Sequence, residues 1–412
     1  MTTRTVPVAR LQTRTLTTLV SLQGVGGTAS AITLAVAAIM LEDLTGSTAL
    51  AGFAQSLFVA GAAIIVIPTV SMTERYGRRG GLGFAYGVAG AGALLTVGAL
   101  ELSNPWLAAA GCFLIGGASC GNLQGRFAGA DLAPPDKRAT HLSIVVWSVT
   151  IGSALGPFLA GPVNTWWSDT FGSPAYTGPL VVTAAASFLA GGLGMAFLRP
   201  DPFLLARKLG GTEDAPRKSI ADGYRIAKRN PRVRTALLAA ATGHMTMVGV
   251  MSMTSVHIKH GSPDLDSALA VIGFVISSHI VGMYAFAPVF GRLSDRWGTK
   301  RVILLGVALQ AVACVVAATA PGDGNVQLTA GLFLLGLGWS AMTLASSAMI
   351  TEAVEVDQRP STQGFADLSM GLAAIASGLA GGPIVQYLGY PWLCAILAVP
   401  LLAGGAVLAR RS

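Results

Sequence analysis

Gly291-Arg292-Leu293-Ser294-Asp295-Arg296-Trp297-Gly298-Thr299-Lys300-Arg301 is a charged turn between two apolar stretches, and the chain carries it twice. Glu74-Arg75-Tyr76-Gly77-Arg78-Arg79 holds the matching place in the first half, with Gly77 and Gly298 221 residues apart. Asp131 with Arg138 recurs at the same offset as Glu352 with Arg359. Two pairs at one offset are the mark of an internal duplication. Carboxylates and guanidiniums at helix ends pair with each other and with the helix termini, and glycine permits the tight turn. Glu74, Arg75 and Asp131 are therefore expected to form one charge cluster, and Asp295, Arg296 and Glu352 the other.

Around these turns the chain is apolar. Of its 412 residues 52% are hydrophobic and 11% charged, and its mean hydropathy is +0.63. That leaves too few charges to solvate a globular surface. About 20 apolar residues cross a bilayer, and twelve such stretches begin near Leu16, Ala49, Leu82, Leu107, Leu142, Leu180, Thr235, Ser267, Val302, Gln327, Thr362 and Trp392. The first follows basic residues as a secretory signal does, but runs to about Met40 without a short apolar core and a small-residue cleavage site, so it reads as a retained helix. The net charge of +8 would point to nucleic acid in a soluble protein. Here it records orientation: with the amino terminus inside, 25 of the 27 Lys and Arg fall in cytoplasmic loops or tails, leaving Arg126 within a span and Lys259 outside. This positive-inside pattern places both termini in the cytoplasm of a plasma-membrane (cell inner membrane) protein. Cys112, Cys120, Cys314 and Cys394 fall inside spans without a CxxC pair and read as packing residues.

The longest polar stretch, 199–234, holds ten basic residues with Pro200, Pro202, Gly210, Gly211 and Pro216, and divides the spans six and six. The expected domains are an amino-terminal bundle, 1–198, a cytoplasmic central loop, 199–234, and a carboxy-terminal bundle, 235–412. Ser219 to Arg229 reads either as a basic amphipathic helix on the anionic inner leaflet or as a solvated linker.

The turn at Gly291–Arg301 fits G-x-L-x-D-R-x-G-[RT]-[RK], and here the chain resembles the major facilitator superfamily. The first copy departs from the pattern, with Val70 at the first glycine position and Glu74 for Asp. The resemblance covers the whole chain. It implies an all-α membrane fold of twelve helices in two pseudo-symmetric six-helix bundles, worked by alternating access. Glu74, Arg75, Asp131, Gly291, Asp295, Arg296, Gly298 and Glu352 would then be conformational parts that latch the inner ends in the outward-open state.

Between His244 and Met283 lie five of the 12 methionines and four of the five histidines. Helical spacing puts His244, Met247 and Met251 on one stripe, and His279 and Met283 on another in the next span. Thioether and imidazole suit Cu(I), and a thioether binds without losing a proton. Against this, methionine is an ordinary gap-filler, which is the reading for Met245 and Met253. An imidazole inside a span needs a cavity or a partner, so His244 and His279 read as metal ligands or proton carriers, with His257 and His260 in a loop. The pair M-x-x-x-M (Met247, Met251) and H-x-x-x-M (His279, Met283) is similar to the CcoA-like branch of the superfamily, as is Gln124-Gly125-Arg126-Phe127-Ala128-Gly129-Ala130-Asp131. That resemblance implies metal-binding roles for those four Met and His positions; members of the branch import copper, and relatives move riboflavin.

Arg126 needs a carboxylate, a carbonyl cage or water. Snorkelling or pairing with Asp131 is one reading, and binding an anionic group of an organic substrate the other. Asp367 reads as a proton carrier, a partner of Arg126 or a capping residue. Gly152-Ser153-Ala154-Leu155-Gly156-Pro157-Phe158-Leu159-Ala160-Gly161 approaches the G-x-x-x-G-P-x-x-G-G signature of proton-coupled antiporters, with Ala160 in place of glycine. Gly152, Gly156 and Pro157 equally describe a helix-packing seam.

The sequence thus leads to a secondary transporter, not an enzyme, with Cu(I) import through Met247, Met251, His279, Met283 and His244 as the first reading. No resident cofactor is expected; the partners are the bilayer and a copper ion or small organic substrate, without nucleic acid, and the chain is expected to be monomeric. The rivals are a proton-coupled exporter of an amphipathic organic compound, a riboflavin-like uptake carrier, and a non-transporting metal sensor or assembly chaperone.

Overall fold

The computed structural model describes residues 8–46, 48–261, 265–321 and 326–410; the side chains of Ala35, Ala38, 48–55, Ala154, Leu155, Pro157, Phe158, Lys259, His260 and 265–270 lie outside the described residues. Every regular element among the described residues is helical. Among the described residues, ten helical stretches are long and apolar enough to cross a membrane. One of them, Ser56–Glu101, is 46 residues long, too long for one crossing. It breaks at Gly77, whose φ of 79° and ψ of −175° lie outside the helical region. With that break, and with a further helix of 34 residues at Arg138–Phe171, the twelve expected crossings are accounted for.

The chain packs as two units. The first comprises Met1–Tyr224 with Val354–Leu368. It holds α1 (Val8–Thr45), α2 (Thr48–Glu101), α3 (Pro105–Ala128), α4 (Arg138–Phe171), α5 (Thr177–Phe197) and α6 (Pro202–Leu209). Backbones approach closely where glycine leaves room. A Cβ on Gly152 of α4 would fall 2.2 Å from the Gly24 carbonyl of α1, and one on Gly61 of α2 would fall 1.8 Å from the Phe113 carbonyl of α3. Small residues substitute for the hydrophobic drive that lipid does not supply. Asn104 starts α3 by accepting from the Trp106 and Leu107 amides, both at 3.1 Å, an ordinary side-chain cap.

The short α7 (Ile220–Arg229) forms where the basic amphipathic helix was expected. Its face is not left to a lipid surface. A Cβ on Gly223 would meet the Ser361 carbonyl at 2.2 Å, and Tyr224 sets its ring edge-on to Phe365, 5.8 Å away. Ser361 and Phe365 belong to the first turns of α13 (Arg359–Leu388), the part of that helix that packs with the first unit.

The second unit comprises Arg225–Ala353 and Ser369–Ser412. It contains α8 (Pro231–Gly261), α9 (Leu265–Tyr284), α10 (Ala287–Trp297), α11 (Thr299–Ala318), α12 (Val326–Ala353), the remainder of α13, and α14 (Tyr390–Arg410). The duplication survives in conformation. Gly298 ends α10 with φ +87°, as Gly77 divides α2 with φ +79°. It survives in packing too: Gly282 of α9 meets the Phe333 carbonyl of α12 at 2.5 Å from its would-be Cβ, and Gly282 lies 221 residues after Gly61.

Candidate functional site

In the first unit, a chain of charges gathers beside the break at Gly77. The guanidinium that reaches Asp131 is that of Arg78, with Nε donating to Oδ2 at 2.8 Å and Nη2 to Oδ1 at 3.3 Å. Its Nη2 also donates to Gln363 Oε1 at 2.6 Å. Arg359 stands on the other side of Asp131, 3.8 Å away. Arg75, expected in this cluster, is exposed. Arg75 and Tyr76 lie on an exposed face of the helix before the turn, and the change of path at Gly77 brings Arg78, which follows it, inward. Glu74 is buried, with the charges of Arg207, Lys218 and Arg78 acting on it. Lys218 also pairs with Asp357.

One turn deeper, Arg126 is 1% exposed and Asp367 4%. Arg126 Nη2 donates to Asp367 Oδ1 at 2.6 Å, and Gln124 Nε2 to Oδ2 at 2.7 Å. The guanidinium also donates to the Leu123 carbonyl at 2.5 Å and lies 4.3 Å over the Phe127 ring. Its carboxylate partner is thus Asp367; Asp131 is held by Arg78 and Arg359. A guanidinium this buried is tolerable because the Asp367 carboxylate and the Leu123 carbonyl share it, while the Gln124 amide donates to the same carboxylate.

Next to this pair lies a polar set on α1, α2 and α3. The Tyr86 hydroxyl is 2.7 Å from both Gln23 Oε1 and Asn122 Oδ1. Gln23 Nε2 donates to the Asn122 carbonyl at 2.8 Å, and Asn122 Nδ2 to Ser30 Oγ at 3.2 Å. Gly125 is needed here, since a Cβ would stand 2.3 Å from Gln23 Nε2. Gln124 keeps one buried acceptor, Oε1, without a hydrogen bond. The sequence reading missed Gln23, Tyr86 and Asn122. Their signal was available: amide and phenol groups in the middle of apolar spans are costly unless they serve a partner.

In the second unit, Met247 and Met283 are buried in one apolar cluster with Trp339, and Met245, Met251 and Met253 pack against it. His244 Nδ1 accepts from Trp339 Nε1 at 2.8 Å. His279 is 2% exposed and its Nδ1 lies 2.8 Å from the Leu332 carbonyl, which fixes that nitrogen as the protonated one. Its Nε2 has no hydrogen-bond partner. His257 stacks on Tyr390, with ring centroids 4.3 Å apart, and the side chain of His260 lies outside the described residues. Among the described residues no three His, Cys, Asp or Glu side chains converge as a metal site. Asp295 is half-buried and Arg296 exposed, while Glu352 lies 3.9 Å from Arg232. Gly291 is buried in α10. Gly156 of α4 sets its would-be Cβ 2.5 Å from Ala31 of α1.

The chain is similar to known proteins along nearly its whole length. The Major Facilitator Superfamily profile matches residues 19–271 and 260–412. A Bacillus subtilis (strain 168) protein named as an uncharacterized MFS-type transporter, YdeG, is 32% identical over 398 residues, covering 96% of this chain and 89% of its own. The riboflavin transporter RfnT of Brucella anthropi is 25% identical over 407 residues, covering 94% and 95%. In fold, the chain is similar to the crystal structure of the Escherichia coli fucose:proton symporter FucP, with a TM-score of 0.69, 18% identity, and coverage of 96% and 98%. The chain belongs to the Major Facilitator Superfamily.

Proposed function

We propose that this chain is a secondary transporter that carries a small, polar heteroaromatic solute of the riboflavin type across the plasma membrane by alternating access. The observation that carries the reading is the polar set of buried Gln23, Ser30 and Tyr86 with half-buried Asn122, beside Gln124, Arg126 and Asp367. It offers amide donors, amide acceptors, hydroxyls and a guanidinium within apolar helices, which suits a flat solute edged with carbonyls and ring nitrogens. RfnT, similar along nearly its whole length, bears the name of a riboflavin transporter. In this reading the bundles are 1–198 and 235–412, joined by a cytoplasmic 199–234, with both termini cytoplasmic by the distribution of Lys and Arg. The chain works as a monomer and catalyses no reaction.

The test is uptake of radiolabelled riboflavin by proteoliposomes holding the purified chain. Saturable uptake that falls at least tenfold in Gln23→Ala/Asn122→Ala is the expected result; uptake no greater than in empty liposomes overturns the proposal.

One observation favours a second reading, Cu(I) import. His279 presents a buried Nε2 lone pair, its other nitrogen held by a carbonyl as metal-bound imidazoles are, in the unit where Met247, Met251 and Met283 share one cluster. Under that reading, cells expressing the chain accumulate copper, and Met247→Leu/His279→Ala at equal surface expression abolishes the gain.

A further inference from the structure

A groove of about 560 Å³ opens in the first unit between the second half of α2, residues 78–101, and α5. Its walls are apolar: Phe84, Phe188 and Met195 line it, and Phe188 and Met195 are exposed. Its depth comes from glycines. A Cβ on Gly87 or Gly192 would meet nothing within 4 Å, so at both positions the groove floor is bare backbone facing empty space.

One end of the groove is basic. Arg79, two residues beyond the break at Gly77, and Arg199, just past the end of α5, both line it. Among the described residues no carboxylate pairs with either guanidinium. Arg199 spends its Nε on the Met195 carbonyl at 3.2 Å. The nearby carboxylate, Asp201, is engaged by main-chain amides: Arg79 N at 2.9 Å on one oxygen, Phe203 N and Leu204 N at 3.1 and 3.2 Å on the other. Two guanidiniums are thus left at the level where spanning helices give way to basic loops.

An occupant must be amphipathic, with an anionic end and an apolar body, and must arrive from the bilayer. We propose that the groove binds one anionic glycerophospholipid, its phosphate held between Arg79 and Arg199 and one acyl chain lying along residues 78–101 and α5. Guanidinium forks suit phosphate oxygens, and basic pockets between spanning helices take anionic headgroups. The glycines give the chain a bed that larger side chains would close.

The experiment is native mass spectrometry of the purified full chain in a neutral detergent, titrated with phosphatidylglycerol or phosphatidylcholine. Two variants divide the claim. Arg79→Gln/Arg199→Gln removes the charges and keeps the groove; Gly87→Leu/Gly192→Leu fills the groove and keeps the charges. The expected result is one phosphatidylglycerol retained about tenfold more strongly than phosphatidylcholine, with that preference lost in the first variant and both lipids lost in the second. Millimolar inorganic phosphate is expected not to displace the lipid. Thermal melting in the same detergent checks that each variant is folded, and the two are read independently. Retention of phosphatidylglycerol by either folded variant as by the unmodified chain overturns the proposal, as does displacement by inorganic phosphate, which would mark a free-anion site.

Discussion

At the scale of single residues, the Arg126–Asp367 pair has the sharpest energetic consequence. Both side chains are almost wholly buried and their ion pair is 2.6 Å long. Asp367→Asn leaves the guanidinium buried without its counter-charge, a loss on the order of 3–5 kcal/mol. Arg126→Met/Asp367→Leu removes both charges and should recover most of that, because a matched apolar pair needs no compensation. Thermal unfolding in detergent checks both: a large drop for the single variant, and a melting temperature near that of the unmodified chain for the double. The same logic separates two neighbouring arginines. Arg78, bonded to Asp131 and Gln363, should cost several times more on conversion to Gln than exposed Arg75, whose replacement should stay within about 0.5 kcal/mol. The sequence reading placed Arg75 with Glu74 and Asp131, whereas the guanidinium on Asp131 is that of Arg78. The sequence could not tell which guanidinium turns inward, since that depends on the path of the chain through Gly77.

Elements are where the duplication becomes physical. Gly77 and Gly298 adopt positive φ at matched places, but their surroundings differ. A Cβ at Gly77 would lie 2.3 Å from the Asp201 carboxylate, whereas one at Gly298 would meet nothing within 4 Å. Gly298→Ala should therefore lose only the backbone term, about 1 kcal/mol, and Gly77→Ala that term plus displacement of the Asp201 cap from α6. Melting temperatures of the two single variants check the order; equal losses would contradict it. The spans themselves were legible because about 20 apolar residues leave few alternatives to a crossing helix. Helix facing was harder to read. The stripe His244, Met247, Met251 follows from helical spacing, yet Met245 and Met253 pack against the same cluster. A helix surrounded by apolar neighbours carries no polar face to announce its rotation.

At the scale of the whole molecule, membership of the superfamily follows from the chain's full length, and the cargo must come from the chemistry of particular groups. The Met and His residues stood out in the sequence because those residue types are scarce and were clustered. The amides and phenol of Gln23, Tyr86 and Asn122 were scattered over 100 residues of sequence, and only folding brings them within hydrogen-bond reach. The account assigns solute handling to that scattered set. Its most direct test is riboflavin uptake into proteoliposomes by three preparations: the unmodified chain, Gln23→Ala/Asn122→Ala, and Met247→Leu/His279→Ala. The account predicts uptake by the first and third and at least a tenfold loss in the second; uptake absent from all three, or lost in the third and kept in the second, would contradict it.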